Sequence, residues 1–148
     1  MDYKREVIEY LKNYSKLIDS IENLKDEIAE LRIDIKSLSG IGYSDMPSGN
    51  GGVGEPDDRI INKMVRLEKA QEEYKTTTKT VKRIERAFAR FEKENKSYYK
   101  ILKGCFIDQY TEEQLMKDFH YSDRNLRRLK QKALKAFAIE IYGIKVIS

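Results

Sequence analysis

Residues 7–38 read VIEYLKNYSKLIDSIENLKDEIAELRIDIKSL. Along this stretch Val7, Tyr10, Tyr14, Leu17, Ile21, Leu24, Ile28, Leu31, Ile35 and Leu38 follow one another at alternating steps of three and four. That alternation is a heptad repeat, the mark of a helix that lays a single apolar stripe against a partner helix. Neither Gly nor Pro interrupts it, and Glu, Lys and other polar residues fill most of the remaining positions. The spacing predicts one helix over 2–38, roughly 54 Å long at 1.5 Å per residue. Such a helix cannot bury its stripe alone. Leu17, Ile21, Leu24, Ile28, Leu31 and Ile35 are therefore the candidate oligomerisation residues.

Residues 39–56, SGIGYSDMPSGNGGVGEP, hold six of the eight glycines and both prolines. Gly costs a helix about 1 kcal/mol and Pro about 3, so a loop is expected here. Pro56-Asp57-Asp58 then reads as a helix start, its acids placed at the positive end of the helix dipole. The second helix is expected over 57–95, with a seam of Ile60, Met64, Leu67, Gln71, Tyr74, Thr78, Val81, Ile84, Phe88 and Phe91. Two rods of equal length joined by a Gly-rich tip make an antiparallel hairpin over residues 1–95. Gln71 and Thr78 leave its seam short of apolar area, and β-branched residues at 76–78 weaken the helix there. A second copy of the chain is the expected remedy, giving a homodimer or a higher homo-oligomer.

Residues 96–148 form the remaining unit. KSYYKILKGCFID, over 96–108, offers Tyr99, Ile101, Leu102 and Phe106 for one helical face. Thr111 opens TEEQLMKDF as an N-cap, with Gln114 completing a capping box. After a short turn at His120-Tyr121, Ser122 caps SDRNLRRLKQKALKAFAIEIY, whose inner face is Leu126, Leu129, Ala133, Phe137 and Ile141. Gly143 stands where a C-terminal cap belongs. The fold class expected is all-α: a long coiled-coil-like helical hairpin plus a C-terminal helix-turn-helix unit.

Composition bounds the function. The chain has 148 residues, 29 Lys+Arg, 25 Asp+Glu, one Cys, one His and no Trp. Charged residues make up 36% and the mean hydropathy is −0.70. No stretch is long and apolar enough for a membrane span, and MDYKREVIEY lacks the apolar core of a secretory signal. A lone Cys fits a reducing cytoplasm, and one Cys with one His cannot build a zinc finger. Charge is uneven: residues 1–56 balance at −4, residues 57–95 at +3 and residues 96–148 at +5.

Two short helices joined by a three- to four-residue turn, the second strongly basic, form the pattern of a DNA-binding helix-turn-helix. Between 124 and 135 lie six bases and no acid: Arg124, Arg127, Arg128, Lys130, Lys132 and Lys135. Arg124, Asn125, Arg128 and Gln131 or Lys132 face away from the apolar side. Arg there suits guanine and Asn suits adenine in the major groove. Arg127, Lys130 and Lys135 suit phosphates, as does the Ser122 helix start. A basic helix is also the ordinary look of a solvated face. The caps, the turn and the apolar spacing together favour double-stranded DNA as the partner.

TEEQLMKDFHYSDRNLRRLKQKALKAF resembles the C-terminal helix-turn-helix of sigma factors, region 4. The chain as a whole, with its heptad helix, the Ser-Asp-Met-Pro stretch at 44–47, Asp57-Asp58, a second long helix and the motif over 111–134, resembles the ArpU/RinA-type phage transcriptional regulators. The resemblance implies a DNA-binding activator of phage or prophage late or packaging genes, acting in a bacterial cytoplasm with host RNA polymerase as a further partner. The acidic N-terminal rod offers a surface for that polymerase. The first helix reads Glu-Gln-Leu-Met where these proteins more often carry an aromatic and Glu-Glu-Ile-Ala, so the resemblance carries the DNA-binding role and no operator sequence.

Nothing in the chain assembles an active site. His120 has no base, nucleophile and orienter around it, and Cys105 reads as a small core residue. GNGGVG lacks the strand and spacing of a dinucleotide fingerprint, and Asp57-Asp58 is explained by helix capping. Tyr98-Tyr99 is open to base stacking, but packing between helices is the simpler reading. The expectation is a regulator with no enzymatic activity and no cofactor. Two alternatives stay open: a small-terminase-like DNA-packaging subunit, and a coiled-coil adaptor or inhibitor with a degenerate helix-turn-helix.

Overall fold

The computed structural model describes residues 2–45 and 57–148, with side chains over 2–39 and 57–148. The described residues are mostly helical, with no strand among them. In chain order the helices are α1 (Tyr3–Lys12), α2 (Tyr14–Asp45), α3 (Asp58–Glu94), α4 (Lys96–Leu102), α5 (Glu112–Phe119) and α6 (Asp123–Tyr142). A π-turn (Lys103–Ile107) follows α4, and a 3-10 turn (Gly143–Val146) follows α6. The all-α reading of the sequence is what the chain adopts.

These helices form two compact units. The core unit comprises Met1–Ile18 and Lys79–Ser148, and the helix-pair unit is Asp19–Thr78. This division differs from the boundary expected at residue 95, for a reason visible in the packing. Val7 and Leu11 of α1 and Ile84, Ala87 and Phe91 of α3 share one buried cluster with Ile101, Leu126, Ala133 and Phe137. The helix-turn-helix is thus built onto the ends of the two long helices, not tethered beyond them.

Within the core unit, Phe137 of α6 packs its ring 5.5 Å from Phe88 and 6.3 Å from Phe91. Tyr99 and Tyr98 close edge-on over the same two phenylalanines, at 6.1 and 5.8 Å. The Tyr98-Tyr99 pair is therefore half-buried packing. α1 lies against α6 through Tyr3 and Tyr10, whose rings stand 4.9 and 6.5 Å from Tyr142.

In the helix-pair unit α2 and α3 run antiparallel. Asp34 pairs with Lys63 at 2.9 Å, and residues Ser20, Leu24 and Glu27 face Glu72, Thr76 and Thr77 across a groove of about 510 Å³. Among the described residues Leu24, Leu31 and Ala70 are the buried apolar ones there. Ile21, Ile28 and Ile35 are half-buried, while Leu17 packs against the cluster of the core unit. The chain's own α3 thus covers part of the stripe singled out for oligomerisation.

Four expectations need correction. The first helix is not unbroken: Asn13 leaves helical geometry at φ −105°, ψ 13°. Its side-chain amide donates to the Glu9 carbonyl at 2.8 Å, the kind of local bond with which Asn competes against the helical ladder. At the other end α2 does not stop at residue 38 but runs to Asp45 through Gly40 and Gly42. A glycine weakens an established helix by only about 1 kcal/mol, so it lowers stability without acting as a stop. The remainder of the expected tip loop, 46–56, lies outside the described residues.

The third correction concerns the seam of α3. Met64 is 54% exposed, whereas Ala70 is 4% exposed. The inward positions are Ile60, Lys63, Leu67, Ala70, Tyr74, Thr77, Val81, Ile84, Phe88 and Phe91, all buried or half-buried. Their steps alternate three and four without a break, matching α2. The expected seam carried two consecutive steps of three at Thr78, Val81 and Ile84, and that irregularity marks the slip. The fourth correction is the π-turn after α4. The Asp108 amide donates to the Lys103 carbonyl at 2.9 Å, five residues back. The wide turn brings Gly104 against Leu115 of α5, where an added Cβ would stand 2.8 Å from Leu115 Cδ2.

Candidate nucleic-acid interface

α5, a three-residue turn and α6 are locally specified by their caps. The Thr111 hydroxyl accepts from the Gln114 amide at 3.2 Å, and the Gln114 side chain accepts from the Thr111 amide at 2.9 Å. His120 then takes a left-handed backbone, φ 57°, ψ 33°, which ends α5. Such a residue satisfies the helix end while reversing the chain. Ser122 accepts from the Asn125 amide at 3.2 Å and starts α6. Leu115 and Leu126, both buried, join the two helices to the core. The outward face of α6 is therefore held on a rigid support.

The candidate residues divide into two groups on that support. Arg124, Asn125, Arg128, Lys132 and Lys135 are exposed, and among the described residues none of their side chains is engaged in an ion pair. The other four already have local partners. The Ser122 hydroxyl is used in capping. Arg127 Nη2 lies 3.3 Å from Asp123 Oδ2, one turn back, on the surface. Lys130 is half-buried with its ammonium 5.4 Å above the Phe106 ring. The Gln131 carbonyl oxygen accepts from Lys4 Nζ at 2.7 Å. The structure thus brings the cationic residues to one exposed helical face and turns part of the set toward protein partners.

Sequence reasoning by thirds of the chain missed the scale of the charge. The core unit holds 21 basic and 12 acidic residues, a balance of +9, while the helix-pair unit stands at −5. Part of the excess lies on α3, where Lys79, Lys82, Arg83, Arg86, Arg90 and Lys93 are all exposed. Their i, i+3, i+4, i+7 spacing puts the first four on one helix face, a signal the sequence did contain. Arg90 also reaches α6, pairing with Glu140 at 3.3 Å. Lys4, from the far end of the chain, was likewise invisible to a local reading.

Two of the residues considered for chemistry have defined surroundings. Cys105 is half-buried, and burial pushes its thiol up, Lys130 opposing and Glu112 reinforcing the shift. A thiol held protonated is a poor nucleophile. Asp57 caps α3, accepting from the Arg59 amide at 2.9 Å, and the Arg59 guanidinium holds its carboxyl below the usual range. Among the described residues no group of three or more His, Cys, Asp or Glu side chains is placed to hold a metal. No helix there is long and apolar enough to cross a membrane.

Comparison with protein-family models, with curated proteins and with solved structures finds no match for this chain. The functional reading therefore rests on the site itself.

Proposed function

We propose that this chain is a sequence-specific DNA-binding transcriptional regulator, an activator of phage or prophage late or packaging genes of the ArpU/RinA type. The observation that carries the reading is the exposed face of α6. Arg124, Asn125 and Arg128 stand at the N-terminal end of a capped second helix, with Lys132 and Lys135 following on the same face. In a helix-turn-helix those first residues meet base edges in the major groove, and the later cations meet the backbone. The +9 balance of the unit that bears α6 supports attraction to a polyanion. On this reading the half-buried isoleucines of α2 join two copies, whose separation fixes half-site spacing. The acidic helix-pair unit is then the surface offered to host RNA polymerase.

The test is selection from a pool of genomic fragments at two salt concentrations, followed by sequencing of what is bound. Enrichment of one short repeated site beside a promoter is the expected result. Arg124→Ala or Asn125→Ala should then weaken that site by about 1–3 kcal/mol while sparing non-specific DNA. Enrichment of a packaging-gene site without a promoter would instead support a terminase-like subunit. Absence of any enrichment would overturn the DNA reading and direct attention to protein partners.

A further inference from the structure

The contact between Lys4 and Gln131 joins residues 127 positions apart on the outer surface of α6. The two helices that carry these side chains are packed together. α1 is fixed beside α6 by Val7 and Leu11, both buried, and by Tyr3 and Tyr10 against Tyr142. Lys4 is half-buried, and its ammonium reaches Gln131 at the surface. Arg128 and Lys135 stand one turn before and one turn after Gln131 on the same helix, both exposed.

The bond also decides what Gln131 can recognise. A glutamine reads adenine by using its carbonyl oxygen and its amide nitrogen together. Here Lys4 takes one of the two lone pairs of the Gln131 oxygen at 2.7 Å, which sets a cation beside the place where adenine's amino group would have to donate. Lys4 keeps two further N–H donors, since an ammonium has three. The pair therefore presents chiefly N–H donors and one positive charge. That chemistry suits an acceptor, an anionic phosphate oxygen above all, and does not suit the adenine edge that a free glutamine would read.

We infer that Lys4 and Gln131 form a clamp for a DNA backbone phosphate, making α1 part of the DNA-binding surface beside the recognition helix. The inference rests on the DNA-binding reading and deepens it: the N-terminal helix supplies orientation and affinity, whereas Arg124 and Asn125 supply sequence choice. The clamp assigns Gln131 to positioning, and it gives a job to a residue that the acidic character of the first third of the chain conceals.

The experiment is binding of the full chain to its selected site and to unrelated duplex, titrated across salt concentration, for Lys4→Ala, Lys4→Arg, Gln131→Ala and the double variant. Lys25→Ala, in the helix-pair unit, removes the same charge elsewhere and serves as the control. Losing one phosphate contact lowers the salt slope by about 0.9 and weakens all sequences alike. We expect Lys4→Ala to lose roughly three- to tenfold on both DNAs with that slope change, and Lys4→Arg to restore most of it. Because the two side chains act as one unit, the double variant should lose little more than Lys4→Ala alone.

Wild-type affinity and slope in Lys4→Ala, alongside loss in Arg124→Ala, would overturn the clamp and leave the DNA reading intact. Equal losses in Lys4→Ala and Lys25→Ala would also overturn it, since net charge alone would explain them. A changed sequence preference in Lys4→Ala would make Lys4 a base contact, again against the clamp. Absence of DNA binding by the unaltered chain would remove both.

Discussion

The two units are made from the same two long helices and differ in almost every physical respect. Of the nineteen buried apolar residues among those described, sixteen belong to the core unit and three, Leu24, Leu31 and Ala70, to the helix pair. Among the described residues the aromatic ring contacts lie in the core unit, from Tyr3–Tyr142 to Phe119–Tyr121. The net charges are opposite, +9 against −5. A helix can thus serve two purposes along its length. Where α3 carries Val81, Ile84, Ala87 and Phe91 inward it is a wall of a packed domain. Where it carries Lys63, Ala70 and Thr77 inward it is one half of a thin seam. At about 25 cal/mol per Å² of apolar area removed from water, the first region gains most of the burial free energy and the second gains little.

The largest effect that could break this contrast comes from Phe137, which is fully buried between Phe88 and Phe91. Phe137→Ala should cost about 3–5 kcal/mol. Leu31→Ala, in the half-open seam, should cost about 2 kcal/mol, the lower end for such a deletion. Denaturant melts followed by tyrosine signal and by helicity should show the two substitutions shifting different transitions. One shared transition, moved by both, would merge the units into a single cooperative body.

A smaller effect sharpens the seam. Ala70→Gln places an amide in a buried position and should destabilise by about 1–3 kcal/mol. Met64→Gln, at an exposed position, should stay within about 0.5 kcal/mol of the parent. The reverse order, read from the same melts, would restore the seam first expected from the sequence. That slip shows what a sequence of this kind reveals. The heptad of α2 is legible because large aliphatic residues occupy nearly all its inward positions. In α3, inward Lys63, Ala70 and Thr77 compete with adjacent Met64, Gln71 and Thr78, and hydrophobicity alone chooses Met over Lys. Strict alternation of steps would have chosen correctly. The helix-turn-helix was legible because Thr111, Gln114 and Ser122 cap their helices through bonds three residues long. The Lys4–Gln131 contact was not, since no local pattern links positions at opposite ends of a chain.

Gly104 marks the joint between the π-turn and α5, and its expected effect is smaller still. An added methyl would meet Leu115 Cδ2 at 2.8 Å, and Leu115 is itself buried, so its side chain has little room to turn away. Gly104→Ala should cost about 1 kcal/mol, the low end of overpacking because only one flexible branch must move. The loss should appear in the core-unit transition alone. An unchanged or raised melting temperature would show that the joint has slack.

The weakest effect, and the one confined most strictly to one unit, is alkaline. Burial raises the thiol of Cys105 above its ordinary 9.0 and the phenols of Tyr14 and Tyr142 above 10.0. Glu85 adds to the shift at Tyr14, and Tyr10 and Glu6 add to it at Tyr142. All three groups belong to the core unit. Each is neutral when protonated, and its raised folded value means that the folded state holds its proton where the unfolded chain releases it. Linkage then fixes the sign: the stabilisation is complete below pH 9 and is lost as pH rises through the folded values. A melt series from pH 8 to pH 11 should therefore lower the core-unit transition progressively and leave the helix-pair transition nearly level. Cys105→Ser and Tyr142→Phe should each flatten part of that decline, because each removes one titrating group. Equal decline in both units would trace the effect to general charge repulsion and would strip the comparison of its pH signature.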